Sequence, residues 1–476
     1  MKGSRIAPAR SAAYEVLRAV SSGAADLPHA LARARGPLGD ERDRALAGEI
    51  ATGAIRWQGA FDHVVGVFSK RPISKLDPEV LDILRCGMFQ LLHLDRVPAS
   101  AAVNDAVSLA RRIGKSSAAP LVNAVLRRVS RERARLPLPP RPDWGQTPTS
   151  GIERLSDRGH WGLTPNVRAD ALNYLATTMS HPRWLVERWL DAYGFEATET
   201  WTQFNNEPAR LTLRVNTLKT NAAALTDLLS QHDVTVTPGR HAPDALIVTH
   251  GNPLLTPIAH EGLFLIQDEA SQLVAALVGA RAGERVLDAC ASPGNKTIAI
   301  AGAMDDRGLV IAADVRGRRI DLLTRTIARV GARSIRIVQA DATAIPFASD
   351  RGPFDWILLD APCSGLGTIR RDPDIRWRRT PEDFPALKHA QIAMIVETAR
   401  ALRPGGHLVY STCSSEPDEN EEVVAAAVAS GVLQLAPAEL YPPYVRSLLN
   451  EAGHMRTYPF RDGLEAFFAA LLVKPG

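Results

Sequence analysis

ERVLDACASPGNKTIAIAGAM (284–304) reads as a strand, a tight turn and a helix in immediate succession. Val286 and Leu287 form a short apolar run that ends on Asp288, Pro293-Gly294 interrupt the chain, and helix-forming residues follow from Lys296. The same alternation recurs downstream. It predicts strands over 284–290, 308–314, 334–340, 354–360 and 406–412, with helices over 295–304, 316–331 and 386–402. Short apolar strands alternating with helices fold as a parallel, doubly wound α/β sheet. Ligands bind such sheets outside the carboxyl ends of their strands, so residues just past each strand are the ones to inspect.

Upstream the pattern is different. Residues 1–136 read as all helix. Asp77, Pro78 and Glu79 give an N-terminal signal, with Asp77 as the expected cap. Val80, Leu84, Met88 and Leu91 then recur at helical spacing. Ser100 similarly opens a helix with Val103, Val107 and Ala110 on one face. In the next helix Val122, Val125, Leu126 and Val129 form the apolar stripe, and Arg127, Arg128, Arg131 and Arg135 lie opposite as a solvated face or a phosphate-tracking surface. Residues 137–166 are Pro-rich with little periodicity and read as an extended linker. Residues 167–260 contain an alternating strand signal at 210–217 and a helix at 222–230, and read as a small α+β subdomain. Residues 261–476 complete a multidomain chain as the α/β domain.

The 476 residues are 45% hydrophobic and 23% charged, which excludes a disordered chain, a collagen-like fibre and a disulfide scaffold. Four cysteines show no zinc-ligand spacing, so no metal is expected and a reducing cytoplasm is the expected location. No signal peptide or membrane span is read. Charge is uneven: residues 1–145 carry 23 Lys and Arg against 14 Asp and Glu, and the remainder carry 33 against 38. Of the 56 cations 48 are Arg, whose planar fork suits phosphate and base stacking, a hint towards a polyanion.

Asp288, Asp314, Asp341 and Asp360 all fall at the carboxyl ends of expected strands. Asp314 is placed to accept the hydroxyls of a ribose, and Asp341 to reach an adenine amino group. The turn at 290–296 matches neither G-x-x-x-x-G-K nor G-x-G-x-x-G, which favours S-adenosylmethionine over a dinucleotide.

Cys363 lies in DAPCSG (360–365) and Cys413 in STCS (411–414), each just beyond a strand. Adjacent parallel strands would set both thiols at one sheet edge beside the cofactor. Carbon 5 of a pyrimidine is too weak a nucleophile to attack a sulfonium methyl. A thiolate added to carbon 6 turns the ring into an enamine, and an acid near ring nitrogen 3, for which Asp360 is placed, stabilises the charge that develops. A base must then remove the carbon 5 proton so that the thiol can leave. One cysteine would attack and the other act later; the residues alone do not say which.

These motifs carry a family resemblance. DACASPGNKT (288–297), DAPCSGLGTIRRDPDIRW (360–377), RPGGHLVYSTCS (403–414) and ENEE (419–422) resemble, in order and spacing, the RNA (cytosine-5)-methyltransferase family. RVNT (214–217), SHPRWLVERW (180–189), QDEAS (267–271) and the stretch 459–472 extend the match. Residues 40–57, 76–107 and 121–128 resemble the NusB-like RNA-binding domain, and the combination is similar to bacterial small-subunit ribosomal RNA methyltransferases. The resemblance implies a Rossmann-like S-adenosylmethionine-dependent domain. It implies Cys413 as nucleophile and Cys363 as the thiol assisting release, whereas DNA cytosine-5 methyltransferases attack from the Pro-Cys motif. It places the cofactor on Cys290, Ala291, Ser292, Pro293, Gly294, Asn295 and Lys296 together with Asp314, Asp341 and Asp360, with Lys296 on the methionine carboxylate or the target base. Asn295 and Ser292 stand where the family usually has Gly and Ala; Asn tolerates left-handed backbone there. Ala466 stands where the family often has Gly. The implied substrate is 16S ribosomal RNA, held by the helical domain and the 167–260 subdomain, with transfer RNA as the second enzyme reading and a non-catalytic RNA-binding factor as the third. A target base must leave its stack to reach the thiol. A monomer without membrane partners is expected.

Overall fold

The computed structural model describes residues 6–142, 152–154, 161–163, 165–347 and 353–476. The linker predicted over 137–166 lies largely outside them; within it, Ile152–Arg154 pairs antiparallel with Trp161–Leu163. The chain divides into two compact units, Met1–Glu207 with Ile369–Arg378, and Pro208–Thr368 with Arg379–Gly476.

The first unit is helical. Its leading helices run Pro8–Ser21, Leu27–Arg35, Glu41–Arg56, Gln58–Ser69, Pro78–His93, Ala99–Arg112 and Ala119–Arg131. Pro78–His93 is the axis, because every side chain from Val80 to Leu91 is buried. Two glycines let neighbours close on it. A Cβ on Gly53 would lie 2.0 Å from the Phe89 ring, and one on Gly87 would lie 2.7 Å from Leu126. A charge network also runs through the axis: Arg85 forks onto Asp62 at 2.8 and 2.6 Å and reaches Asp82 at 3.0 Å, which also takes Arg18 at 2.8 Å. Asp77 does occupy the cap position, but its side chain makes no cap hydrogen bond and instead takes Lys115 at 3.0 Å. Pro78, with its φ already helical and no N–H to satisfy, starts the helix without it.

Helices Pro165–Asn173, Arg183–Tyr193 and Phe195–Asn206 belong to this unit, and so does Ile369–Arg378. Within that decapeptide, Arg376 is fully buried and donates to the Ser180 carbonyl at 2.8 Å and Asn206 Oδ1 at 3.0 Å, and the Trp377 indole donates to the Ile55 carbonyl at 2.9 Å. Residues 167–207 therefore share packing with the helices before them, not with the strands after them.

The second unit holds two sheets. The smaller has the order Thr235–Pro238, Ala245–His250, Thr212–Val215, Phe264–Ile266, all antiparallel, under the helix Ala222–Ser230. Its last strand lies beyond the 260 boundary drawn from composition, since Phe264 pairs with Val215.

The larger sheet has the order Gln434–Leu435, Phe468–Val473, Leu402–Thr412, Phe354–Asp360, Arg285–Asp288, Leu309–Asp314, Ile335–Gln339, with Met455–Arg456 also on Phe468–Val473. The five predicted strands are all present and mutually parallel. The sheet as a whole is mixed, because Phe468–Val473 runs antiparallel along Leu402–Thr412. Both faces are covered: Val286, Leu358, Val409 and Leu471 enter one core, and Leu287, Leu359, Leu408 and Leu472 the other. A strand buried on both sides reads as an unbroken apolar run, which explains why no polar alternation marks these segments.

Candidate active site

Parallel register puts the strand ends level. Asp360 pairs with Ser411, Leu358 with Asp288, and Asp314 with Gln339. The loops that follow adjacent strands therefore leave from one edge. The Ala361 amide extends the ladder to the Ser411 carbonyl at 2.9 Å, and the Gly367 amide donates to the Cys413 carbonyl at 2.9 Å. Cys363 Sγ and Cys413 Sγ come to 3.4 Å from one another.

Beside them, Lys296 Nζ lies 2.6 Å from Asp360 Oδ2, while the Ser411 hydroxyl donates to Asp360 Oδ1 at 2.7 Å. Burial works to lower the Lys296 pKa, but the Asp360 carboxylate, with Cys413 and Asp288 beyond it, outweighs that and raises it. Lys296 is thus a held cation next to the thiol pair. Cys363 is raised well above the ordinary thiol value by its contact with Cys413, by burial and by the charge of Glu419, so this thiol keeps its proton. Cys290 is also pushed up, by burial and by the surrounding carboxylates, and is no thiolate at neutral pH.

A cavity of about 90 Å³ opens among Asp288, Cys290, Ala291, Ser292, Pro293, Asn295, Lys296, Asp360 and Ser271. Asp288 decides what fits it. Its Oδ2 accepts from Thr297 at 2.7 Å, but Oδ1 is buried without a hydrogen-bond partner. Burial pushes its pKa up to about 7. A buried oxygen without a donor costs free energy until one arrives, and the ammonium of a methionine moiety is such a donor. These residues fit S-adenosylmethionine, whose ammonium and sulfonium both carry positive charge.

The predicted cofactor residues do not all converge. Cys290, Ala291, Ser292, Pro293, Asn295, Lys296 and Asp360 line the cavity, and Gly294 does not. Asp314 is buried at its strand end and receives the Ser292 and Arg316 amides at 3.4 and 3.2 Å. Asp341 is exposed, and its Oδ1 is taken by the Thr343 amide and hydroxyl at 2.8 and 2.7 Å. The left-handed residue of the loop is Gly294, with φ 105°, where a Cβ would lie 2.8 Å from Leu323. Asn295 instead opens the helix and donates to the Ile266 carbonyl at 2.8 Å, so its tolerance of left-handed backbone is not what the turn uses.

Three groups escape sequence reasoning. Asp288 stands in the pattern of strand-end carboxylates without a role of its own. Ser411, which holds Asp360, has only its place before Thr412-Cys413 to mark it. Glu419 reads only as part of the ENEE motif, yet it is fully buried between the two cysteine loops. Among the described residues no group of three metal-ligating side chains occurs, and no helix is long and apolar enough to cross a membrane.

Comparison with known proteins agrees with this architecture. A family model described as 16S rRNA methyltransferase RsmB/F matches residues 275–473, one for the NusB family matches 7–131, and one for an RsmF/B-like ferredoxin-like domain matches 181–254. A ribosomal RNA small subunit methyltransferase B of Pseudomonas putida is 33% identical over 471 residues, covering 98% of each chain. A Bacillus subtilis relative with the same name, qualified there as probable, is 33% identical over 439 residues and 92% of each chain. Among solved structures, a methyltransferase homologue from Pyrococcus horikoshii matches 66% of this chain and 100% of its own at 26% identity, with a TM-score of 0.53.

Proposed function

Because this chain belongs to the RsmB/F family of 16S rRNA methyltransferases, we propose that it methylates carbon 5 of a cytosine in 16S ribosomal RNA through a transient Cys413–cytosine bond. The observation that carries this reading is the pair of thiols 3.4 Å apart beside the Lys296–Asp360 ion pair.

S-adenosylmethionine supplies an electrophilic methyl group when bound. The rest of the chemistry belongs to the chain. Asp288 and the 290–296 loop bind the cofactor's methionine end, and Asp314 its ribose, with Asp341 towards the adenine. Cys413 adds to carbon 6 of the ring. The ring then needs a proton or a positive charge near nitrogen 3, and the Lys296–Asp360 pair holds both within one hydrogen bond. Asp360 has both oxygens engaged, by Lys296 and Ser411, so it acts with the lysine rather than as an isolated acid. As solvent takes the carbon 5 proton, the carbon 5–carbon 6 double bond re-forms and the Cys413–carbon 6 bond breaks; Cys363, which keeps its proton and lies 3.4 Å from Cys413, is the thiol that assists this elimination by protonating the departing sulfur. Residues 1–136, with their surplus of cations, and the 167–260 segment, which spans the end of the helical unit and most of the small sheet, hold flanking RNA.

The test is transfer of a tritiated methyl group from S-adenosylmethionine to 16S and transfer RNA, followed by mapping of 5-methylcytosine with and without the protein. Label at carbon 5 of a 16S cytosine is the expected result. Label confined to transfer RNA would move the substrate, and no label in any RNA would favour a binding factor.

A further inference from the structure

Glu419 is a carboxylate with no exposed surface, and among the described residues no cation is paired with it. A buried carboxylate is costly unless its oxygens are hydrogen-bonded, and each of its bonds goes to a segment that carries or supports a cysteine. Oε1 accepts from the Ser364 amide at 2.8 Å and from Gln391 Nε2 at 3.0 Å, and Oε2 accepts from the Ser414 hydroxyl at 2.6 Å. Ser364 follows Cys363, and Ser414 follows Cys413. The two serine hydroxyls are themselves 3.1 Å apart, and Gln391 also donates to the Pro362 carbonyl at 3.0 Å. Only a carboxylate can accept from an amide N–H, a side-chain amide and a hydroxyl at once.

We propose that Glu419 is a positioning residue for the thiol pair: it ties the backbone after Cys363 to the side chain after Cys413, and so holds the two sulfurs at contact. Without it, among the described residues, Ser364 and Ser414 are joined by their own hydroxyl contact alone. The methyl transfer proposed above needs attack at carbon 6 and elimination from the same ring, so both sulfurs must address one base. Glu419 makes no hydrogen bond to either sulfur and positions them through the two serines, apart from the effect of its charge on Cys363.

Thiol proximity can be read without RNA. Diamide accepts one hydrogen from each of two thiols, leaving a disulfide and the corresponding hydrazine. In the full-length protein diamide should link Cys363 to Cys413, identified by peptide mass. Glu419→Ala should slow that linkage at least about tenfold and lower kcat about a hundredfold, because small misplacements of reacting groups cost that much. S-adenosylmethionine binding and KM for RNA should stay near the parent values, which general loss of structure would not allow. Glu419→Gln keeps an acceptor for the Ser364 amide and a donor towards Ser414, and should restore most of the linkage rate. Linkage by Glu419→Ala at the parent rate overturns the proposal. If Glu419→Ala fails to fold, Ser414→Ala decides, since it removes one arm only: slower linkage supports the clamp, and an unchanged rate overturns it. The inference rests on the proposed reaction for its turnover measurement alone; absence of methylation in the parent would defeat that reaction, while linkage would still judge Glu419.

Discussion

Cys363 and Cys413 touch, sulfur to sulfur at 3.4 Å, although fifty positions separate them in the chain. The contact follows from register. Asp360 and Ser411 are partners on neighbouring parallel strands, and each thiol sits within three residues of its strand end. Cys363 is raised in pKa first of all by Cys413, so the protonation of one thiol is set by its neighbour, and geometry divides the labour between them.

That division predicts opposite fates for the two alanine variants. Cys413→Ala should lose both turnover and any covalent protein–RNA adduct. Cys363→Ala should accumulate the adduct, because attack persists while elimination fails. Denaturing gels of protein incubated with RNA and cofactor check this, and an adduct formed by the Cys413 variant alone would exchange the roles.

Asp288 should make cofactor binding depend on pH. Its folded pKa is raised from 3.8 to about 7, so the stability it contributes is present below about pH 4 and is lost as pH rises through 7. In the cofactor-free protein Asp288→Asn should remove that slope and be more stable above pH 7, by a ceiling on the order of 4 kcal/mol. A cationic ligand prefers the ionised carboxylate, so parent affinity for S-adenosylmethionine should rise up to about tenfold per pH unit below 7 and level off above it. Calorimetry across pH 5.5–8.5 (about three units, spanning the transition) should find this slope in the parent and a flat, weaker profile in Asp288→Asn.

Gly367 leaves no room for a side chain. A Cβ there would fall 1.8 Å from the Ala466 carbonyl oxygen and 2.9 Å from that of Cys413. Gly367→Ala should cost about 1–3 kcal/mol by overpacking and shift the Cys413 backbone. Thermal melting reads the first effect and single-turnover methylation the second.

The arginine row of the helical unit should be tested by point changes, since removing residues 1–135 would strip Arg376 of the Arg56 carbonyl and Trp377 of that of Ile55. Arg127, Arg131 and Arg135 are exposed. Their triple alanine variant should flatten the salt dependence of RNA binding by about 0.7–0.9 in log K against log salt for each phosphate that is no longer neutralised. Arg128 is different: its guanidinium stacks 4.1 Å over Phe68 and pairs with Glu132 at 2.9 Å, so it serves the fold as well. An unchanged slope would leave the row as a solvated face.

Arg376 has only neutral acceptors among the described residues, and its cation is held well below the usual arginine pKa by burial and by Arg56. Arg376→Ala should destabilise the helical unit by about 2–4 kcal/mol, through the carbonyls left unsatisfied and the space left behind. Denaturant unfolding of the full chain checks it.

The parallel core of the fold was legible because its signals are local. Strand–helix alternation located the five parallel strands to within about four residues at their ends, and the carboxylates at those ends pointed to the edge where the cavity and the thiol pair lie. What escaped is set by partners distant in the chain. Phe468–Val473 carries no sign that it lies antiparallel to Leu402–Thr412; only sheet pairing decides that. Asp77 has the composition of a capping residue and the partner of an ion pair. Glu419 takes its place from Ser364 and Ser414, and no spacing rule connects the three.

The decapeptide Ile369–Arg378 belongs with the helices that precede Pro208, although it is encoded between the two cysteines. During synthesis on a ribosome the amino-terminal helices emerge early, while the segment that fills their interior with Arg376 arrives only after Cys363 has been made. Their packing is complete only once that segment has been made. An exchange of sequence anywhere between 208 and 368 would part Arg376 from the carbonyls of Arg56 and Ser180 that it binds, leaving a socket without its plug.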